Sequence, residues 1–218
     1  AIRFICAFVV VLSHYGAVPV FSYVDVSSSD FLHVLSGIYN NLFFGVASVI
    51  VFFVISGLVI HYPYTDGKRI NIPEFYLKRY TRILIPMVVA SYLDYVLQAK
   101  LEYVIWSLYA ELIYYTLYPL FFMLKEKLGW TSLIMGAYVF SFVVIFLVKP
   151  VTADGIYHSH GVYYTWIIGL PCWLLGAKLA DDLRSVHKNV SGMQIWSMRF
   201  VVWFVSVGLS IAYFHLKT

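Results

Sequence analysis

The rhythm of its apolar stretches constrains this chain more than any other feature. Such stretches recur at 4–22, 39–61, 80–97, 103–124, 130–148, 163–180 and 196–215, and a helix needs roughly 20 mostly apolar residues to cross the hydrocarbon core of a bilayer. Only 12% of the 218 residues are charged and 61% are hydrophobic, against about 25% charged in an ordinary soluble domain. The pattern predicts an all-α integral membrane protein: a polytopic bundle of about seven spans forming a single domain over 1–218, without internal repeat or soluble appendage. Many of the 19 Tyr and 6 Trp fall near the ends of these stretches, where aromatic belts meet the lipid-water interfaces.

The first stretch carries Arg3 and His14, lacks a small-residue cleavage site and is long enough to span, so it reads as a helix and not as a cleavable signal. Cys6 and Cys172 both fall inside predicted spans and read as small buried hydrophobes without chemistry. The net charge of +4 is spread over short connections and forms no patch suited to nucleic acid. It sets orientation instead. With a cytoplasmic N-terminus and seven crossings, Arg3, Lys68, Arg69, Lys78, Arg79, Arg82, Lys125, Lys127, Lys178, Arg184, Lys188 and Arg199 lie inside, and only Lys100, Lys149 and Lys217 lie outside. That is the bias of the positive-inside rule, and it makes 62–79 and 181–195 cytoplasmic.

An ionisable side chain within a span costs at least about 2.5–3.5 kcal/mol on insertion scales, so each one is a functional candidate. Arg3 and His14 are eleven positions apart, which places them within about 20° of one helix face and roughly 16 Å apart along it. A guanidinium at the inner boundary suits a phosphate, and an imidazole deeper in suits removal of a hydroxyl proton. The same two residues also suit a snorkelling anchor and an interhelical hydrogen bond. In the second stretch the small residues Gly45, Ser48, Ser56 and Gly57 permit close helix approach, and Ser56 can bond within the membrane. Arg79 and Arg82, three residues apart at the start of the third stretch, face the same way. They read either as a cationic pair for a donor's phosphates or as a topogenic cluster on anionic headgroups.

The fourth stretch holds Glu111, with Trp106 and Ser107 before it and Tyr114 and Tyr115 after it. A charged Glu111 needs a partner, which His14 or an arginine could supply, and a structural ion pair is the plainer alternative. Asp154, His158 and His160 in an external connection have the residue types of a metal site, but loop spacing of this kind reads as solvated side chains. No metal is expected.

These segments together resemble the acyltransferase-3 family of membrane-bound O-acyltransferases, the bacterial glycan O-acetyltransferase type. The resemblance rests on Arg3 and His14, on Phe-Phe-x-x-Ser-Gly from Phe52 to Gly57, and on Arg-x-x-Arg at Arg79 and Arg82 followed by Pro86. It continues with Trp-Ser-Leu-x-x-Glu from Trp106 to Glu111, then Tyr114 and Pro119, and Leu-x-Gly-x-x-x-Ala from Leu174 to Ala180. The resemblance implies no bound cofactor, with acetyl-CoA or another acyl-CoA as co-substrate reaching the protein from the cytoplasm. It implies a carbohydrate hydroxyl as acceptor, membrane lipid as surroundings and the bacterial inner membrane as location. His14 is then the base or acyl-handling residue, Arg3 supports it, Glu111 is the family's acidic residue, and Arg79 with Arg82 contact the donor. Ser56, Gly57, Trp106, Ser107 and Tyr114 support the site. Family members usually have about ten spans and a longer segment before Trp-Ser-Leu, so the resemblance also implies segments missing between 87 and 105 and at the ends.

The expected function is transfer of an acyl group, acetyl first among them, to a cell-surface or lipid-linked carbohydrate. The rival is a proton-coupled transporter of a small anionic solute, with His14 and Glu111 as relay. The sequence sets no oligomeric state.

Overall fold

The computed structural model describes residues 45–97, 102–148 and 160–185, with the shorter pieces 5–6, 8–10, 31, 191–194, 196–197, 200–201 and 204. Among the described residues every regular element is a helix. They are α1 (Gly45–His61), a 3-10 turn (Tyr62–Tyr64), α2 (Ile72–Leu97), α3 (Glu102–Leu147) and α4 (Val162–Ser185). Two stretches, Ala47–Tyr64 and Trp106–Leu147, are long and apolar enough to cross a membrane.

The boundaries refine the sequence reading at two places. The third apolar stretch begins inside α2, whose first residue is Ile72, so Arg79 and Arg82 stand within the helix and not at its start. The fourth and fifth stretches form one run, which breaks at Gly129 with φ 73° and ψ 159°. Glycine alone tolerates that backbone region readily, and the break folds α3 into a hairpin. The partners of α4 demonstrate the reversal. Lys125 and Trp130, on either side of the break, both bond to Asp181, whereas Tyr114 on one arm and Ser141 on the other bond to the neighbouring carbonyls of Trp166 and Ile167. Positions 167 and 181 lie about 21 Å apart along a helix, so the two arms run side by side in opposite directions.

Other contacts fix the remaining directions. α1 runs parallel to the first arm of α3, since Phe53 meets Tyr114, Ser56 meets Glu111 and His61 meets Tyr118. α2 runs against that arm: Phe75 stacks on Tyr118, and the Tyr76 and Tyr80 hydroxyls reach Thr116. The 62–71 connection, the Gly129 break and the C-terminal part of α4 therefore share one end of the bundle, here called the His61 end. The basic residues from 68 to 79, at 125 and 127, and at 178 belong to that end.

Side-chain periodicity explains which faces meet. The second arm of α3 buries Ile134, Ala137, Ser141 and Val144, and exposes Val139, Phe140, Phe142 and Phe146. Spacings of three and four put the buried set on one stripe, and the exposed aromatic face suits lipid far better than water. The first arm buries Ala110, Glu111, Tyr114, Tyr115 and Tyr118. α1 and α4 cross at backbone contact: a Cβ on Gly57 would lie 2.0 Å from the Trp173 carbonyl oxygen, and one on Gly176 would lie 1.9 Å from that of Val54. The small residues read as packing positions thus do pack at Gly57, against α4.

Pro171 lies inside α4 and lacks the N–H that would bond to Ile167, four residues earlier. The Ser141 hydroxyl lies 2.8 Å from that carbonyl and 2.8 Å from the Ala137 carbonyl of its own helix, so its one proton is shared between them and replaces the missing bond in part. Leu183–Thr218 form a second compact unit. In it Ser191 and Gln194 exchange backbone-to-side-chain hydrogen bonds of 3.2 and 3.3 Å, the reciprocal arrangement that starts a helix.

Two predictions follow from the seam and the carbonyl. Gly176→Ala should lower the thermal midpoint of the purified protein by the equivalent of about 1–3 kcal/mol, while Gly136→Ala, with no atom within 4 Å of the added Cβ, should not; equal melting of the two variants contradicts the seam. Ser141→Ala should destabilise by about 1–3 kcal/mol through the orphaned carbonyl. The loss should shrink in a Pro171→Ala background that restores the helical N–H, so additive losses would show that the hydroxyl does not serve Ile167.

Candidate functional site

Glu111 occupies the inward stripe of α3 and is fully buried. A carboxylate there requires donors, and the described residues provide two hydroxyls on the same oxygen. Ser56 of α1 donates to Oε1 at 2.5 Å, and Tyr115, one helical turn on, donates to it as well. The two hydroxyls stand 3.5 Å apart. Ser56 is held in place by its neighbour, because Gly57 lets α1 run against the α4 backbone. Of the partners expected for Glu111, His14 or an arginine, His14 lies outside the described residues; the hydroxyl partners were not anticipated for it.

The supporting residues sort by position. Tyr115 takes the role at Glu111, whereas Tyr114, also fully buried, turns its hydroxyl to the Trp166 carbonyl at 2.7 Å. Trp106 packs edge-on against Phe53, with ring centroids 6.5 Å apart, and Phe53 meets Tyr114 the same way at 5.3 Å. Ser107 is half-buried one turn before Glu111. Trp106, Phe53 and Tyr114 thus form one aromatic series, shared between the arm that carries the buried carboxylate and the facing helix.

Arg79 lies toward the His61 end, whereas Arg82, seven residues beyond Phe75 on the antiparallel α2, comes level with Glu111. The Arg79 guanidinium lies 5.8 Å from the centroid of the Phe75 ring, and Arg79 is half-buried while Arg82 is exposed. Phe75 stacks on Tyr118, seven residues beyond Glu111, so this stack lies about 10 Å from Glu111 along the helix axis, and the Arg79 backbone, four residues beyond Phe75 on the antiparallel α2, comes back about 6 Å of that. Arg3, His14, Asp154 and His158 lie outside the described residues. Among the described residues no group of three or more His, Cys, Asp or Glu could hold a metal.

A second polar centre at the His61 end went unnoticed in the sequence. His61 is fully buried, with Nε2 2.8 Å from Asp181 Oδ1 and Nδ1 2.9 Å from the Tyr118 hydroxyl. Nε2 also lies 3.0 Å from Lys125 Nζ; with the proton on Nε2 the imidazole donates to Asp181 and accepts from Tyr118 at Nδ1, and Lys125 bonds to Asp181 instead of the ring. Asp181 Oδ2 accepts from Trp130 Nε1 at 2.6 Å and from Lys125 Nζ at 3.2 Å. Lys125 also lies over the Phe122 and Trp130 rings, at 4.9 and 5.5 Å. Asp181 lies just beyond the apolar stretch 163–180. Partial burial pushes its pKa up, but the hydrogen bond from Trp130, the charge and hydrogen bond of His61 and the hydrogen bond from Lys125 outweigh that, holding it below the ordinary carboxylate value. The signal was present in the topology: 61, 125, 130 and 181 each close or open an apolar stretch at the same predicted face.

A search of curated proteins and a search of solved structures each gave no match. A family model described as an acyltransferase domain, that of the acyltransferase-3 family, matches residues 1–217. It takes in the Phe-Phe-x-x-Ser-Gly, Arg-x-x-Arg and Trp-Ser-Leu-x-x-Glu segments in one continuous match. The Ser56–Glu111 hydrogen bond, which joins the first of these segments to the third, therefore sits within an acyltransferase domain, and the chain belongs to the acyltransferase-3 family, a family of membrane proteins.

Proposed function

We propose that this acyltransferase moves an acyl group, an acetyl group first among the candidates, from acyl-CoA at the cytoplasmic face to a hydroxyl of a cell-surface or lipid-linked carbohydrate. The observation that carries the reading is the buried Glu111, held by hydroxyls from two helices at a position that the family motif predicts. Buried carboxylates inside an apolar bundle are costly and mark function by default. Arg79 and Arg82 contact the phosphates of the donor, since planar guanidinium groups match phosphate oxygens bidentately. His14 takes the proton of the acceptor hydroxyl as its oxygen attacks the thioester carbonyl, and Arg3 supports the imidazole. The carbon–sulfur bond breaks, and the thiolate of CoA leaves and takes up a proton. In the covalent variant His14 itself carries the acyl group between two half-reactions; intersecting initial-rate patterns argue against it.

The basic residues at the His61 end support a cytoplasmic placement of that end, in a multi-pass protein of the bacterial inner membrane with about seven spans in this chain. The segments that the family pattern adds between 87 and 105 would then cross an even number of times, because α2 and the first arm of α3 already run in opposite directions.

Membranes carrying the protein should transfer radiolabel from acetyl-CoA to membrane glycan. His14→Ala should abolish this, and Glu111→Gln should reduce it by the 10²–10⁴-fold, roughly, that a positioned acid-base group contributes. Liposomes that move an anionic solute without consuming acyl-CoA would instead favour the transporter. A cysteine at the exposed Lys68, with Cys6 and Cys172 changed to alanine, should react with an impermeant maleimide in inside-out vesicles and not in intact cells. Labelling of intact cells reverses the orientation.

A further inference from the structure

We propose that His61 and Asp181 are positioning residues of the donor site that act on Arg79 through Tyr118 and Phe75. The inference rests on the reading of Arg79 as a donor contact.

The contacts form an unbroken series. Asp181 Oδ1 lies 2.8 Å from His61 Nε2, and His61 Nδ1 lies 2.9 Å from the Tyr118 hydroxyl. The Tyr118 ring stacks on Phe75, with centroids 5.3 Å apart and planes at 29°, and the Arg79 guanidinium lies 5.8 Å over Phe75. His61 and Tyr118 are fully buried and Phe75 is 4% exposed.

An arginine side chain on a membrane protein's surface samples many rotamers, and a ring beneath its guanidinium selects among them only if the ring is itself fixed. Phe75 packs between Tyr64, Tyr76 and Tyr118, and of these rings it stacks on Tyr118, whose hydroxyl is tied to His61 and hence to Asp181. Lys125 and Trp130 hold the other Asp181 oxygen, and Lys125 Nζ also lies 3.0 Å from His61 Nε2. A buried ionic cluster of this kind adds little stability over well-packed apolar residues. What it does fix is geometry: the ring plane on which Arg79 rests.

The test uses the full chain purified in detergent, with CoA binding measured by calorimetry and steady-state kinetics measured with acetyl-CoA. Tyr118→Phe keeps the stacked ring and removes only the hydroxyl on His61; Phe75→Leu removes the platform. Each should weaken CoA binding and raise the KM for acetyl-CoA about two- to fivefold, the worth of one partly exposed cation–π contact. The kcat and the acceptor KM should stay within about twofold of the parent, the latter because both changes lie on the donor side. In an Arg79→Ala background neither change should have a further effect. An unchanged acetyl-CoA KM in both variants, or the same loss with and without Arg79, overturns the proposal and leaves the cluster a helix staple. A parent that neither binds CoA nor turns over acetyl-CoA overturns the donor reading itself, and the proposal with it.

Discussion

The close crossing of α1 and α4 sets the geometry on which the rest of the bundle depends. Because Gly57 and Gly176 carry no side chain, each backbone lies against a carbonyl of the other helix, at Trp173 and Val54. Small residues are the means by which membrane helices gain dispersion contact where apolar burial supplies no drive. The crossing also fixes register. Ser56, beside Gly57, is thereby turned toward Glu111, and His61, one turn further, reaches Asp181, one turn beyond Ala177. A shift of α1 by one residue would break both polar contacts together, and one of α4 would break the contact of His61 with Asp181.

The two buried or half-buried carboxylates are treated differently. Asp181, at the end of its helix and 30% exposed, collects an imidazole, an ammonium and an indole. Such a set suits a carboxylate that stays ionised near water. Glu111, fully buried, receives hydroxyls from Ser56 and Tyr115 among the described residues. Hydroxyls from two helices thus surround the inner carboxylate, whereas the outer one ties three helical segments into a fixed joint.

Much of this was legible in the sequence because lipid imposes simple rules. Apolar length marked α1, both arms of α3 and α4, and Gly129 fell between two predicted stretches. The Ser56–Glu111 contact joined two residues singled out for different reasons: Ser56 as a small polar packing residue and Glu111 as an intramembrane acid. The extension of α2 back to Ile72 was missed because Glu74, Lys78, Arg79 and Arg82 dilute the apolar signal there, although long charged side chains snorkel and leave a helix intact. The Asp181 cluster was missed for another reason. Its members are 56 and 120 residues distant in sequence, and each taken alone reads as an ordinary boundary residue.

Depth connects this architecture to the chemistry proposed for it. A thioester donor that reacts across a membrane is exposed to hydrolysis unless water is kept from its carbonyl. The Phe75–Tyr118 stack over which the Arg79 guanidinium lies and the carboxylate of Glu111 are separated by about 10 Å along the helix axis, with Tyr118, Tyr115, Tyr114, Phe53 and Trp173 buried in that part of the bundle. On this reading the phosphates stay at the wet end while the acyl group enters a zone lined by aromatic rings. Under the proposed function the arginines and the carboxylate need not touch for both to serve one reaction, since the aromatic rings between the Phe75–Tyr118 stack and Glu111 would separate a charged donor headgroup from the reacting carbonyl.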